Sequence, residues 1–109
     1  MKEIKAFIHR NRLADIIHAL RNAGLCGDLC NLSVADVTGT LQALDAREQD
    51  FSLDMGDMVV NELKLEVMCA DEWVDRAVSI IRANGRTGQA IAGWIYVIDV
   101  VYAYPIDES

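Results

Sequence analysis

One segment near the end of the chain holds a dense set of residues that could do chemistry: Arg86-Thr87-Gly88-Gln89-Ala90-Ile91-Ala92-Gly93. Glycines let backbone N–H groups approach an anion closely, and a hydroxyl such as that of Thr87 adds a donor. Arg86 supplies a cation beside them. The GxxxxGK[ST] pattern of the ordinary phosphate loop is absent, so on spacing alone this is either a structural turn or a ligand loop. A second group, Asp45, Arg47, Glu48 and Asp50, lies in an irregular stretch from Thr38 to Asp57 with Gly39 and Gly56 near its ends. Asp45, Glu48 and Asp50 could chelate a cation, although an acidic chain mostly solvates its carboxylates. A connection this long in a small domain favours a mobile loop that contacts a ligand or a partner over a solvated link.

The remaining reactive types offer little. Ser33, Ser52, Ser79 and Ser109 stand outside any GxSxG elbow. His9 falls at a strand end and His18 on a helix, both as surface or boundary residues rather than bases. Cys26 and Cys30 are not spaced as CxxC, and with Cys69 they make an odd count, which reads as reduced thiols that pack. Trp73 and Trp94 read as packing or interface groups, Trp94 directly after Gly93. No catalytic residue and no metal site emerge.

A strand–helix unit that occurs twice positions these groups. Ile4, Ala6 and Ile8 alternate with Lys5, Phe7 and His9, a strand with one apolar face. Asn11 stands at an N-cap position, Leu13, Ile16, Ile17 and Leu20 form a helical stripe, and Gly24 ends it with Leu25 over the last turn. The second half repeats the plan: Leu65, Val67 and Cys69, then Asp71 as cap, then Val74, Ala77, Val78 and Ile81, closed by Gly85. Aligning Gly24 with Gly85 gives an offset of 85 − 24 = 61. It lays Ile4, Ala6, Ile8, Leu13, Ile17 and Leu20 on apolar partners. Each helix is followed by a further strand, Leu29 to Val37 and Trp94 to Val101. The second of these, almost wholly apolar, reads as a central strand buried on both faces. Right-handed crossovers then give an α+β, ferredoxin-like βαββαβ sandwich with both helices on one face of a four-stranded sheet. The other face needs a cover, and a second copy of the chain is the expected one.

Composition narrows the function classes. The 109 residues suit a single domain across 1–109, and 52% hydrophobic residues can fill a core. A net charge of −7 argues against nucleic acid, whose phosphates require a basic face. No apolar run approaches the roughly 18 residues of a membrane span, and the first residues lack the apolar stretch of a signal peptide, so a cytoplasmic location is expected.

Over roughly residues 1–101 the chain resembles the PII family of signal-transduction proteins. Met1-Lys2-Glu3-Ile4-Lys5-Ala6-Phe7-Ile8 is similar to that family's opening strand, and Leu13-Ala14-Asp15-Ile16-Ile17-His18-Ala19-Leu20 with Gly24 and Gly27 to its first helix and turn. Lys64-Leu65-Glu66-Val67 resembles its third strand. The most specific part is Thr87-Gly88, Gly93, Ile95-Tyr96-Val97 and Asp99-Val100, which follows a TG-x4-G-x-IFV-x-DV signature. The resemblance implies a homotrimer, no enzymatic activity, and adenine nucleotides in clefts between subunits. It makes residues 38–57 the T-loop, which reports ligand state to a transporter or enzyme through residues such as Asp45, Arg47, Glu48 and Asp50. It makes 86–93 the B-loop beside the phosphates, with Arg86, Thr87, Gly88, Gln89, Ala92 and Gly93 as nucleotide contacts and Met68 near the adenine.

The departures from the family pattern bear on the ligand. Most members carry lysine after the last B-loop glycine, where this chain has Trp94, and arginines on the last strand, where it reads Tyr102-Ala103-Tyr104-Pro105-Ile106-Asp107. Gln89 stands in place of a lysine, Ala35-Asp36-Val37-Thr38-Gly39 replaces GFGRQ, and the T-loop lacks tyrosine from Asp45 to Met58. Each lost charged contact removes about 1.5–3 kcal/mol, so ADP or AMP is expected above ATP. A second reading is a trimeric metal-tolerance protein of the CutA type, with Cys26, Cys30 and His9 as the first place to look. A third, an acylphosphatase-like enzyme, lacks that family's arginine loop after the first strand.

Overall fold

Ile4, Ala6 and Ile8 are buried while Lys5 and Phe7 between them are only partly so, and a strand, β1 (Lys2–Ile8), forms on that period. The computed structural model describes residues 1–25 and 31–108; Cys26, Gly27, Leu29 and Cys30 of the expectations above lie outside them. After β1 come α1 (Leu13–Asn22), β2 (Leu32–Gly39), β3 (Gln49–Ser52), β4 (Asp57–Cys69), α2 (Val74–Asn84) and β5 (Trp94–Asp99). All strand pairs are antiparallel, in the order β2-β4-β1-β5 with β3 joined to β4. This is the ferredoxin-like arrangement. No helix among the described residues is long and apolar enough to cross a membrane.

The core lies largely where the 61-residue offset predicts, except that Ile17 is outside it and Leu13 and Val78 are only partly buried against it. Ile4, Ala6 and Ile8 of β1 and Leu63, Leu65 and Val67 of β4 meet Ile16 and Leu20 of α1 and Ala77 and Ile81 of α2. β1 and β4 pair Ile4 with Val67 and Ala6 with Leu65. The offset turns the first pair into the second, so the two halves are related by a local twofold. α1 ends in a Schellman motif: Gly24 adopts φ 72°, Gly24 N–H donates to Arg21 O at 3.0 Å, and Leu25 N–H donates to Leu20 O at 3.2 Å. Arg12 Nε donates to Asn84 O at 2.9 Å and so ties α1 to the last turn of α2.

Three expectations are corrected. First, the apolar run from Trp94 is not a central strand: β5 is an edge strand paired with β1 alone, and Trp94, Tyr96, Val97 and Ile98 are exposed. The run signals burial without saying which chain does the burying. Second, Asn11 and Asp71 do not cap the helices. Each sits in a 3₁₀ turn that precedes its helix, and no side chain caps that turn or the helix. Asp71 instead accepts from the Met1 ammonium at 2.6 Å, and that bond holds its carboxyl below the usual carboxylate range. Gly85 closes α2 as expected, in an ordinary helical conformation, φ −89°. Glycine suits it because a Cβ would press to 2.9 Å on Ile81 O.

Third, residues 38–57 are not irregular throughout. β2 continues to Gly39, and β3 folds back on β4 as a hairpin with its tip at 53–56. Thirteen residues make β4, about 44 Å at the usual rise per residue. That accounts for most of the 48 Å long dimension. Val60 already pairs with Gly39 on one flank, so β3 takes the other, the flank β1 occupies from Leu63 onward. β1 and β3 therefore lie end to end along β4.

Candidate functional site

The 86–93 loop is shaped by two glycines with different tasks. Gly88 adopts φ 89°, a conformation L side chains rarely take. Gly93 lies against β1 so closely that a Cβ would collide with the Phe7 carbonyl oxygen. Between these points the loop stands off the sheet and leaves a cleft of about 330 Å³. Arg82 and Gly85 of the α2 end, Arg86, and the chain from Gln89 to Gly93 line it over a floor of Phe7 and Ile8. Four of the expected contacts, Arg86, Gln89, Ala92 and Gly93, thus converge on one cavity. Arg82 joins them, and sequence reasoning passed it over. Its i+4 spacing to Arg86 and its place in the last turn of α2 were the available signal.

Thr87 does not offer its hydroxyl to the cleft. It donates to Gln89 Oε1 at 2.7 Å, and Gln89 Nε2 then donates to Gln42 O at 2.8 Å and Ala43 O at 3.3 Å. Gln89, which also lines the cleft, is thus a strut from the 86–93 loop to the start of the 40–48 connection. The hydroxyl orients the amide so that its N–H groups face the two carbonyls.

At the other end of that connection, Asp45 accepts from Arg47 N–H at 2.8 Å and lies 3.4 Å from the Arg47 guanidinium, so the two partner each other. Glu48 turns inward, with its Oε1 3.0 Å from His9 Nδ1. His9 is buried, not at the surface, because β3 meets the end of β1 there. Its Nε2 is fully enclosed, with no hydrogen-bond partner among the described residues. Asp50 is exposed on β3. The hairpin tip exposes apolar groups that sequence reasoning did not single out: Phe51, Leu53 at 89% exposure, Met55 and Met58. Among the described residues no three His, Cys, Asp or Glu side chains come together as metal ligands. His9 is engaged by Glu48, and Cys26 and Cys30 lie outside those residues.

Met68 is not brought to the cleft. It pairs with Glu3, whereas Phe7 lies beside Trp94. The four residues from Glu3 to Phe7 put about 13 Å between the two along the sheet. Within one chain the expected adenine contact and the 86–93 loop are separate.

Comparison with known proteins gives a consistent result. A family profile described as nitrogen regulatory protein P-II matches residues 1–108. Nitrogen regulatory protein P-II 1 of Methanothermobacter thermautotrophicus is 34% identical over 101 residues, covering 93% of this chain and 84% of that protein. Nitrogen regulatory protein P-II of Rhizobium etli is 32% identical over 106 residues, covering 97% of this chain and 91% of that protein. The same-named protein of Microchaete diplosiphon is 30% identical over 100 residues, covering 92% and 86%.

Proposed function

The chain belongs to the nitrogen regulatory protein P-II family, and from that premise we propose that it is a non-catalytic, cytoplasmic signalling protein that binds an adenine nucleotide beside its B-loop and regulates a transporter or enzyme through its T-loop. The observation that carries this reading is the strut from Gln89 to the carbonyls of Gln42 and Ala43, a direct link from the ligand loop to the reporting loop. A ligand that draws Gln89 or its neighbours toward a phosphate breaks those bonds and releases the 40–48 connection. A ligand biases a conformation only through such a difference in contacts.

Charge favours the smaller nucleotides. Arg82 and Arg86 are the cations that line the cleft, and the two suit ADP or AMP better than a triphosphate. The partner would meet the hairpin tip, where Phe51, Leu53, Met55 and Met58 are exposed, with Asp50 on β3 and exposed Arg47 at the strand's other end. A homotrimer fits two features. β5 and the tail from Val101 to Ile106 present exposed apolar side chains, Val101 at 81% and Tyr104 at 81%. Met68 and the B-loop sit apart within a chain, so an adenine site that includes both needs a neighbouring subunit.

Calorimetric titration with ATP, ADP and AMP tests the ligand. ADP or AMP is expected to bind more tightly than ATP. Arg86→Ala is expected to weaken ADP about tenfold, the low end for one charge-assisted contact. No heat with any of the three, or an Arg86→Ala protein with unchanged affinity, contradicts the reading.

A further inference from the structure

Beyond Gly39 the sheet narrows to a two-stranded ribbon. β2 reaches no further along β4 than the Gly39–Val60 pair, so among the described strands Asp57, Met58 and Val59 pair with β3 alone. Such a ribbon is marginal by itself and holds together mainly through side chains that face each other across its strands. Four pairs join β3 to β4: Gln49–Val60, Asp50–Val59, Phe51–Met58 and Ser52–Asp57. Of these, Phe51–Met58 is the pair that sets two apolar residues opposite each other, one step from the turn. Both members are exposed, Met58 at 45%, so a reagent in water reaches the thioether. The polar groups at the turn are taken up by backbone: Ser52 Oγ accepts from Met55 N–H at 3.1 Å, and Asp57 Oδ1 accepts from Met58 N–H at 2.7 Å.

From this register we propose that Met58 is a site of reversible oxidation, with a peroxide as the oxidant and opening of the hairpin as the effect. The Met58 sulfur attacks one oxygen of hydrogen peroxide. The S–O bond forms, the O–O bond breaks, and a proton transfer to the departing oxygen releases water. The sulfur gives up two electrons and the peroxide takes them. The product is a sulfoxide, a polar acceptor set opposite Phe51, whose side chain has no donor to offer. The apolar pair is thereby lost, and hydration of the sulfoxide favours separated strands. Exposure does not single out Met58, because Met1, Met55 and Met68 are exposed as well. Its partner does: Met55 lies in the turn between the two strands, and Met68 pairs with Glu3. Neither the B-loop nor a nucleotide takes part.

Hydrogen peroxide is the probe, applied to the full chain, with mass spectrometry to locate sulfoxides and amide hydrogen exchange to read the hairpin. Oxidation of Met58 is expected to accelerate exchange over β3 about threefold, within the range for one cross-strand pair, and to leave β1 amides unchanged. Met58→Leu keeps an apolar pair and is expected to be insensitive to peroxide, whereas Met55→Leu is expected to respond as the parent does. Met58→Gln sets a polar side chain opposite Phe51 and is expected to accelerate exchange with no oxidant, which keeps the test independent of the oxidation chemistry. Methionine sulfoxide reductases A and B are expected to restore slow exchange where dithiothreitol alone does not, which separates the effect from oxidation of Cys26, Cys30 or Cys69. Parent protein with Met58 fully oxidised and β3 exchange unchanged overturns the proposal. So does equal acceleration in Met58→Leu, a parent-like rate in Met58→Gln, or a Met58 that resists peroxide while Met55 is converted.

Discussion

Gly93→Ala should lower folding stability by about 2–4 kcal/mol, more than any exposed-loop glycine replacement in the chain. The new Cβ meets the Phe7 carbonyl oxygen, which belongs to the backbone of a central strand and cannot rotate away. Relief requires β5 to move off β1, and β1 carries Ile4, Ala6 and Ile8 of the core on its other face. Gly56→Ala is the control. Gly56 also has a positive φ, 64°, but a Cβ there meets nothing within 4 Å. It incurs only the conformational strain of that region, about 1–2 kcal/mol. Chemical denaturation of both variants at one fixed protein concentration separates them, since association shifts apparent stability. Equal losses would mean that Gly93 serves only as a flexible joint.

Gln89→Ala should uncouple the two loops while leaving the fold intact. The substitution removes both donors to Gln42 O and Ala43 O and leaves the Thr87 hydroxyl without its acceptor. At about 1 kcal/mol for each of the two lost bonds, opening of the 40–48 connection becomes less costly by about 2 kcal/mol. Where exchange proceeds through that opening, amide hydrogen exchange there should accelerate about 30-fold. Amides of β1 and β4 should keep their rates. Gln89→Glu sharpens the test, because a carboxylate of nearly the same shape has no donor for the carbonyls and should open the connection at least as far. Unchanged exchange in both variants would show that the strut does not hold the T-loop base.

Much of the fold is legible in the residues because it rests on periodicity. The alternation at Ile4–Ala6–Ile8 and the stripe at Leu13–Ile16–Leu20, with their counterparts 61 residues later, specify β1, β4, α1, α2 and the core they share. Features that depend on distant neighbours are not legible. β5 reads as central because its sequence is apolar, yet its place at the edge is set by the pairing order. The hairpin from Gln49 carries polar residues at its start and an apolar tip, the reverse of an isolated hairpin's usual pattern, so only pairing with β4 reveals it. His9 reads as a boundary residue because nothing local shows that Glu48 will close over it.

The site divides along the same line. The Gly88 and Gly93 positions and the converging Arg86 and Gln89 are local properties of one loop, and the spacing identifies that loop. The partners of Gln89 lie 46 and 47 residues away, so its role as a strut required the folded chain. Met58 was hidden for the same reason. In sequence it is one of 4 methionines; in the fold the strand register sets it opposite Phe51.

Hydrogen exchange across residues 40–52, measured with and without saturating ADP, addresses the coupling of ligand to T-loop most directly. Bound ADP should accelerate exchange in that segment at least severalfold, because the strut breaks, and the change should be absent in Gln89→Ala. Calorimetric binding of ADP with no difference in exchange over 40–52 would show a ligand site that does not speak to the loop, and would contradict the proposed mechanism.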